Sequence, residues 1–122
     1  MAGFKNQRLA EDIKREISGV MREQIKDPRV SDGLSSVVKV DLSGDNSHCK
    51  VYISHIDGIE RAKEAVKGLE SAGWMIRSAC ADKLHLKKCP EFKFIADDSI
   101  ERSADLLQKI NALVPPENNE EE

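Results

Sequence analysis

The arginines of the N-terminal segment are spaced so that they could hold a row of phosphate groups. Arg8, Arg15 and Arg22 follow one another at intervals of seven residues, and Lys26 comes four residues later. At about 100° per residue, this spacing places all four within about 40° of one another on a helix. Such a row could contact nucleic-acid phosphates. It could also be an ordinary solvated face, because acidic residues nearby stand at ion-pair spacing, and the wheel alone favours this second interpretation.

A second group of basic residues crowds the end of a later helical segment. It comprises Arg77, Lys83, His85, Lys87 and Lys88. Cations at a helix C-terminus complement the helix dipole, and this alone would explain the group. The same side chains could contact phosphates, because a cation that stabilises a helix end can still face an anion. Both interpretations stay open on the sequence.

The cysteines and one histidine are the candidates for metal binding or nucleophilic chemistry. His85 and Cys89 have the four-residue spacing of two ligands on a helix, but Pro90 indicates that the helix has already ended. No other pair completes a set of four ligands, so we expect neither a metal nor a cofactor. Cys80 lies on an apolar stripe and is predicted to be a small core residue.

Asp97 and Asp98 form a pair of carboxylates just before the last predicted helix. Acidic residues are favourable at helix N-termini, so capping is their predicted role. The alternative from the enzyme class is a small hydrolase that uses Cys89 with His85, or the two aspartates.

The composition describes one modest domain. The chain has 122 residues, of which 39% are hydrophobic and 34% are charged, and this excludes a multidomain enzyme. No stretch approaches the roughly 18 apolar residues of a membrane span, and residues 1–9 lack the apolar core of a signal peptide. We therefore expect a cytoplasmic protein with no membrane partner. Three cysteines without a C-x-x-C pair indicate reduced thiols.

The end of the chain is unusually rich in acidic residues. Four of them stand in the last six positions, after Pro115 and Pro116. Without these four, the chain has 19 basic and 18 acidic residues, a net charge of +1 instead of −3. A segment with no apolar residue to bury is typical of disorder. We therefore predict a folded domain over residues 1–114 and an acidic disordered tail over residues 115–122.

Apolar periodicity predicts the order helix, strand, strand, helix, helix, strand, helix. The predicted bounds are a helix over residues 6–27, a connection over 29–33, strands over 38–42 and 49–56, a helical segment over 62–84, a strand over 91–96 and a last helix from residue 98 or 99. The apolar stripe of the last helix is Ile100, Ala104, Leu107 and Ile110. Small residues at positions 71–73 predict a kink in the helical segment. The predicted fold is a small α+β domain with helices packed on a three-stranded sheet.

Four segments, in this order and at these separations, resemble bacterial ribosome-binding factor A. They are residues 25–30 (IKDPRV), 50–54 (KVYIS), 90–94 (PEFKF) and 97–102 (DDSIER). The similarity covers about residues 4–113. It implies a type II KH-like fold in the order α-β-β-α-(kink)-α-β-α. It also implies a monomeric assembly factor, not an enzyme, that binds the immature 30S subunit and helps to mature its precursor rRNA near the 5′ end, notably in the cold.

The resemblance further implies which residues face rRNA. They are Arg8, Arg15, Arg22, Lys26, Arg29, Arg77, Lys83, Lys87 and Lys88. In this family an Ala-x-Gly kink between two helices replaces the nucleotide-clamping loop of ordinary KH domains. Ala72 matches its first position and Gly73 follows, while Trp74 stands where the glycine is expected when the segment is counted back from Arg77. The kink is therefore predicted at residues 72–74.

The aromatic residues bear on the alternative of a general single-stranded nucleic-acid-binding module. The chain has five, and none belongs to a recognisable RNA-stacking signature. Phe92 and Phe94 share a strand face and are predicted to fill the core. Because such modules depend on exposed aromatic residues, we expect any RNA contact to be made through phosphates and shape.

Overall fold

The computed structural model of the chain describes residues 2–100, 102–103 and 106–108, with side chains from residue 7 onward. Its elements are α1 (Ala2–Glu23), α2 (Pro28–Ser31), β1 (Ser35–Leu42), β2 (His48–His55), α3 (Ile59–Ser71), α4 (Gly73–Lys83) and β3 (Glu91–Asp97). The predicted tail, residues 115–122, lies outside the described residues. Within the described part of the chain, no helix is both long and apolar enough to span a membrane.

The three strands form one mixed sheet in the order β1-β2-β3. β1 and β2 are antiparallel and are joined by the turn at residues 43–47, as the turn-forming sequence predicts. β2 and β3 are parallel, so the chain must cross back over the sheet between them, and α3 and α4 make this crossing. The predicted α+β fold, with helices packed on a three-stranded sheet, is confirmed.

The core lies between the helices and one face of the sheet. α1 contributes the side chains that the helical period selects, of which Ile13 and Ile17 are fully buried. Cys80 of α4 is buried among them, as predicted. Phe94 is also part of the core, and Phe92 packs against it with their ring centres 6.4 Å apart. The predicted core roles of these three residues are confirmed.

β1 departs from the predicted alternation at one residue. Val37 pairs with Ile53 and Lys39 pairs with Tyr52, so Val38 is an extra residue that forms a β-bulge. Val37 is therefore the buried residue, whereas alternation placed Val38 on the inner face. Lys39 points outward, as predicted.

α1 ends at Glu23, and the prediction that it continues to Asp27 is wrong. The amides of Gln24 and Ile25 both donate to the carbonyl oxygen of Val20, at 2.9 and 3.1 Å. The second of these bonds spans five residues instead of four, and it ends the regular helical ladder.

The segment after Pro28 was predicted to be a plain connection, but it begins with the one-turn helix α2. Asp27 is extended, with φ −62° and ψ 123°, as the proline that follows requires. Its carboxylate accepts a hydrogen bond from the amide of Arg29 at 2.9 Å and so caps the short helix. Pro28 suits the first helical position because its missing N–H is not needed there.

The kink predicted between the two crossing helices is a break at one residue. α3 ends at Ser71, α4 begins at Gly73, and Ala72 between them has φ −99° and ψ 16°. The amide of Ala72 donates to the carbonyl oxygens of Gly68 and Leu69, so it closes α3. The predicted division of the helical segment is confirmed.

α4 ends at Lys83 in a Schellman motif. His85 takes the left-handed conformation with φ 53°, and the amide of Leu86 donates to the carbonyl oxygen of Ala81 at 3.1 Å. The loop that follows separates His85 from Cys89, so the two do not share a helix face.

The chain turns into a helix again after β3, as predicted. The carbonyl oxygen of Asp98 accepts from the amide of Arg102 at 2.8 Å, and the carboxylate of Asp97 accepts from the amide of Ser99 at 2.6 Å. Of the predicted apolar stripe, Leu107 is exposed instead of packed on the core, and Ala104 and Ile110 lie outside the described residues.

Candidate nucleic-acid interface

The predicted row of arginines lies along the solvent face of α1. Arg8, Arg15 and Arg22 are all exposed, whereas the apolar face of the same helix is buried. We call these three residues the α1 ridge. Lys26 lies beyond the end of α1, so it is exposed in the connection to α2 and not on the helix face predicted for it.

The acidic neighbours of the α1 ridge neutralise little of its charge. Arg15 lies 3.4 Å from the carboxylate of Asp12, and both side chains are exposed. An exposed pair of this kind contributes only about 0–1 kcal/mol. Arg8 and Arg22 form no ion pair with another residue in the described part of the chain.

A groove between α1, α2 and β1 extends the ridge at Arg22. Besides this guanidinium, its polar lining consists of the side chains of Ser18, Ser31, Ser35 and Ser36. The hydroxyl of Ser35 is buried and has no hydrogen-bond partner among the described residues. No carboxylate of the described residues lines the groove. Hydroxyl and guanidinium donors are the groups that hold phosphate oxygens, so this groove adds serines to the site that the sequence did not indicate.

Arg29 differs from the other predicted RNA-facing residues because an internal partner already holds it. Its guanidinium donates to both carboxylate oxygens of Asp27, at 3.0 and 2.7 Å. The side-chain hydrogen bond from Arg29, followed by the one from its amide, lowers the pKa of Asp27 to about 2. The same pairing raises the pKa of Arg29. Arg29 therefore stabilises α2, with only its outer surface left for an anion.

The second group of cations is brought together by the end of α4 and the loop after it. Arg77, Lys83, Lys87 and Lys88 are all exposed. The thiol of Cys89 lies 3.7 Å from the backbone carbonyl oxygen of Arg77 and donates to it. This contact holds the loop that carries Lys87 and Lys88 against the turn of α4 that carries Arg77.

The outer face of the sheet carries lysines that were not predicted as site residues. Lys50 of β2 stands directly beside Lys93 of β3, and Lys39 of β1 lies over the ring of Tyr52 at 5.6 Å from its centre. Two like charges side by side on neighbouring strands are unfavourable, and Asp41 of β1, which stands opposite Lys50, offsets part of this repulsion. Alternation marks these lysines as outward-facing, but only the pairing of the strands shows that they are neighbours.

The thiols are in no position to act as nucleophiles. Burial raises the pKa of both Cys49 and Cys80 to about 12. Burial also raises the pKa of Cys89, against the lowering influence of Arg77. His85 is exposed and lies outside α4, so nothing aligns it with Cys89. The described residues contain no group of three or more histidine, cysteine or acidic side chains that is arranged to hold a metal ion.

Two acidic residues hold neighbouring groups of the chain in place: Asp97, which belongs to the pair considered for catalysis, and Asp32, which the sequence did not single out. The hydrogen bonds from Ser99 lower the pKa of Asp97. Asp32 contacts the ring of the fully buried His55, whose Nε2 lies 2.8 Å from the carboxylate while its Nδ1 accepts from the amide of Asp57. Burial raises the pKa of Asp32, but the hydrogen bonds from His55 and from a backbone amide outweigh it and lower the pKa overall. Because His55 is only 1% exposed, this pair ties the loop before β1 to the buried end of β2.

Comparison with known proteins places this architecture in a family. The family model of ribosome-binding factor A matches residues 5–110. The ribosome-binding factor A of Treponema denticola is 43% identical over 114 residues, which cover 93% of this chain and 86% of that protein.

Solved structures agree with the sequence match. The crystal structure of ribosome-binding factor A from Thermus thermophilus has a TM-score of 0.64 and 25% identity, covering 75% of this chain and 93% of that one. A homology model of the Thermus thermophilus factor, fitted into a cryo-EM map of a 30S complex with that factor, has a TM-score of 0.57 and 26% identity, covering 70% of this chain and 88% of that one. The family match over residues 5–110 and the 43% identity to the Treponema denticola protein show that the chain belongs to the ribosome-binding factor A family.

Proposed function

We propose that this chain binds the immature 30S ribosomal subunit through phosphates of its rRNA and assists late maturation of the precursor rRNA near its 5′ end, including at low temperature. Membership in the ribosome-binding factor A family supports the proposal. So does the Thermus thermophilus relative, which was fitted into a map of a 30S complex. The chain acts in the cytoplasm as a monomer, without a cofactor and without catalysing a reaction itself.

One observation carries the proposal. Of the nine predicted RNA-facing cations, eight are exposed, and seven form no ion pair with another described residue. A protein loses stability by keeping like charges together unless an anionic partner accepts them, and rRNA is such a partner. The two paired cations are Arg15, whose pair is weak, and Arg29, which stabilises α2.

The α1 ridge provides the most direct test. Replacing Arg15 and Arg22 with glutamine removes two exposed cations and no buried group, so the fold should be unaffected. Co-sedimentation with immature small subunits should weaken, and the slope of log affinity against log salt should fall by about one unit for each lost phosphate contact.

A matched control separates the ridge from general charge. Lys63→Gln with Lys67→Gln also removes two positive charges, but from exposed residues of α3 that pair with Glu60 and Glu64. This control should bind as the unmodified chain does. Equal binding by the ridge variant and the control at every salt concentration would show that the α1 ridge does not contact rRNA.

A further inference from the structure

Trp74 is the most exposed large apolar side chain among the described residues, at 71%. It stands in the first turn of α4, directly after the break at Ala72 and beside Gly73, which adds no side chain. A helix holds such a ring in a more fixed position than a loop does. The sequence did not predict base stacking, because none of its aromatic residues belongs to a stacking signature. In the structure, however, the ring of Trp74 is exposed and available to a base.

Trp74 lies where two surface grooves meet. The first runs between the start of α4 and β3, and Arg77, Lys93 and Phe92 also line it. Its volume of about 390 Å³ is within the range that bound small ligands occupy. The second groove runs between α4 and the end of α1, and Lys83 lines it. A ligand in either groove would therefore contact the indole ring of Trp74.

The first groove combines the indole with positive charge. Arg77 lines it from α4, and Glu70 provides the single carboxylate among its described lining residues. Lys93 borders it from β3, but its side chain alternates with Phe92 and Phe94 and belongs to the outer face of the sheet. The floor is apolar, because Phe92 and Phe94 stack in β3. A flat aromatic ring, an apolar floor and the guanidinium of Arg77 at one place match the two halves of a nucleotide, its base and its phosphate.

We propose that Trp74 is a stacking platform for one base of an unpaired RNA segment, with a flanking phosphate held by Arg77. This inference rests on the proposed function and adds a mode of contact to it, since phosphate contacts along α1 read no base. Stacking requires an unpaired base, so the groove selects single-stranded rRNA over helical rRNA.

The surroundings of Trp74 favour RNA over a protein partner. A protein interface surrounds its anchor residue with other apolar side chains that exclude water. Here the neighbours that share the grooves are mostly charged or polar: Glu70, Arg77, Ser78, Asp82, Lys83 and Lys93. The other large exposed apolar side chains of the described residues line neither groove.

The sequence makes the test direct, because Trp74 is the only tryptophan of the chain. Its intrinsic fluorescence therefore reports on this site alone. The full chain is titrated with an unpaired rRNA oligonucleotide and with a duplex of the same length, at matched ionic strength. We expect the unpaired strand to quench the fluorescence with saturation and the duplex to leave it nearly unchanged.

Substitutions then separate stacking from mere proximity. Trp74→Ala should weaken binding of the unpaired strand about 5- to 100-fold, whereas Trp74→Phe, which keeps an aromatic face, should stay within about threefold of the unmodified chain. Ile56→Ala, which shortens an exposed apolar residue directly after β2, is the matched control and should change nothing. Circular dichroism checks that each variant is folded.

The outcomes distinguish this inference from the proposed function. If the arginine variant of the α1 ridge loses subunit binding while Trp74→Ala binds unpaired RNA normally, the proposed function stands and the stacking platform is wrong. Equal quenching by duplex and single strand also overturns it. Quenching by intact subunits but not by protein-free rRNA would assign Trp74 to a ribosomal protein and overturn it as well. Loss of binding in Trp74→Ala but not in Trp74→Phe supports it.

Discussion

Two glycines on the crossing helices stand in opposite surroundings. A Cβ atom on Gly68 of α3 would lie 2.7 Å from a methyl group of Val30 and 3.2 Å from the carboxylate of Asp27. A Cβ atom on Gly73, at the start of α4, would meet no atom of the described residues within 4 Å. The packing of α2 on α3 therefore requires a glycine at position 68, whereas Gly73 borders open surface.

The difference separates the part of the crossing that holds the fold together from the part that can receive a ligand. At Gly68 the missing side chain lets α2 lie directly on α3, close to Val30 and to the carboxylate of Asp27. At Gly73 the missing side chain leaves the groove beside Trp74 open. Substitutions at these positions should therefore move stability in opposite directions.

The largest effect is expected for Gly68→Ala. The methyl group would displace the buried side chain of Val30, and overpacking of this kind costs about 1–3 kcal/mol. Urea denaturation should show that loss in the free energy of unfolding. A stability equal to that of the unmodified chain would mean that α2 moves freely and that the contact on α3 is not required.

A smaller effect is expected for Asp27→Asn, and it should depend on pH. The pKa of Asp27 is about 2 in the folded chain, below its ordinary value of 3.8, so its ionised form stabilises the fold. That contribution is present above about pH 4 and is lost as the pH falls through 2. The variant should therefore melt at a lower temperature at pH 7 and lose less stability between pH 4 and pH 2. Asp82→Asn, an exposed residue of α4, is the control and should keep the original pH profile.

The smallest effect is expected for Gly73→Ala, and its sign is opposite. Gly73 has no positive φ and no close neighbour among the described residues, so alanine fits and restricts the unfolded chain, a gain of about 0.4–1 kcal/mol. The break should persist, because the conformation of Ala72 sets it. A fall in stability in the same urea assay would show that the break needs a glycine after all.

Local patterns in the sequence were sufficient for most of the fold. Periods of three and four residues located α1 and the two crossing helices, and small residues located their break. The contact of Gly68 with α2 could not be predicted from the sequence, because no periodicity links residues on two helices that meet only after folding. The bulge at Val38 was missed for a related reason, since a run of valines fits two alternations equally well and only the partner strand decides between them.

The candidate site was predictable where its residues share one element. The α1 ridge follows from a seven-residue spacing within one helix. The proximity of Lys50 to Lys93 depends on the parallel pairing of β2 with β3, which no local pattern contains. The sequence did not predict that Trp74 lies at the surface, because tryptophan occurs both in protein cores and in surface grooves.

The parallel pairing of β2 and β3 also governs how the chain can fold. The hairpin of β1 and β2 closes over a turn of five residues, whereas β3 can join β2 only after the whole crossing from residue 56 to residue 90 has been brought back. Bringing the ends of the longer segment together costs more conformational entropy, and the contacts between β2 and β3 compensate for this cost only once they have formed. During synthesis from the N-terminus, β3 is also the last of the three described strands to emerge. The hydrogen-bonding edge of β2 that faces β3 therefore stays unpaired until both crossing helices have been made.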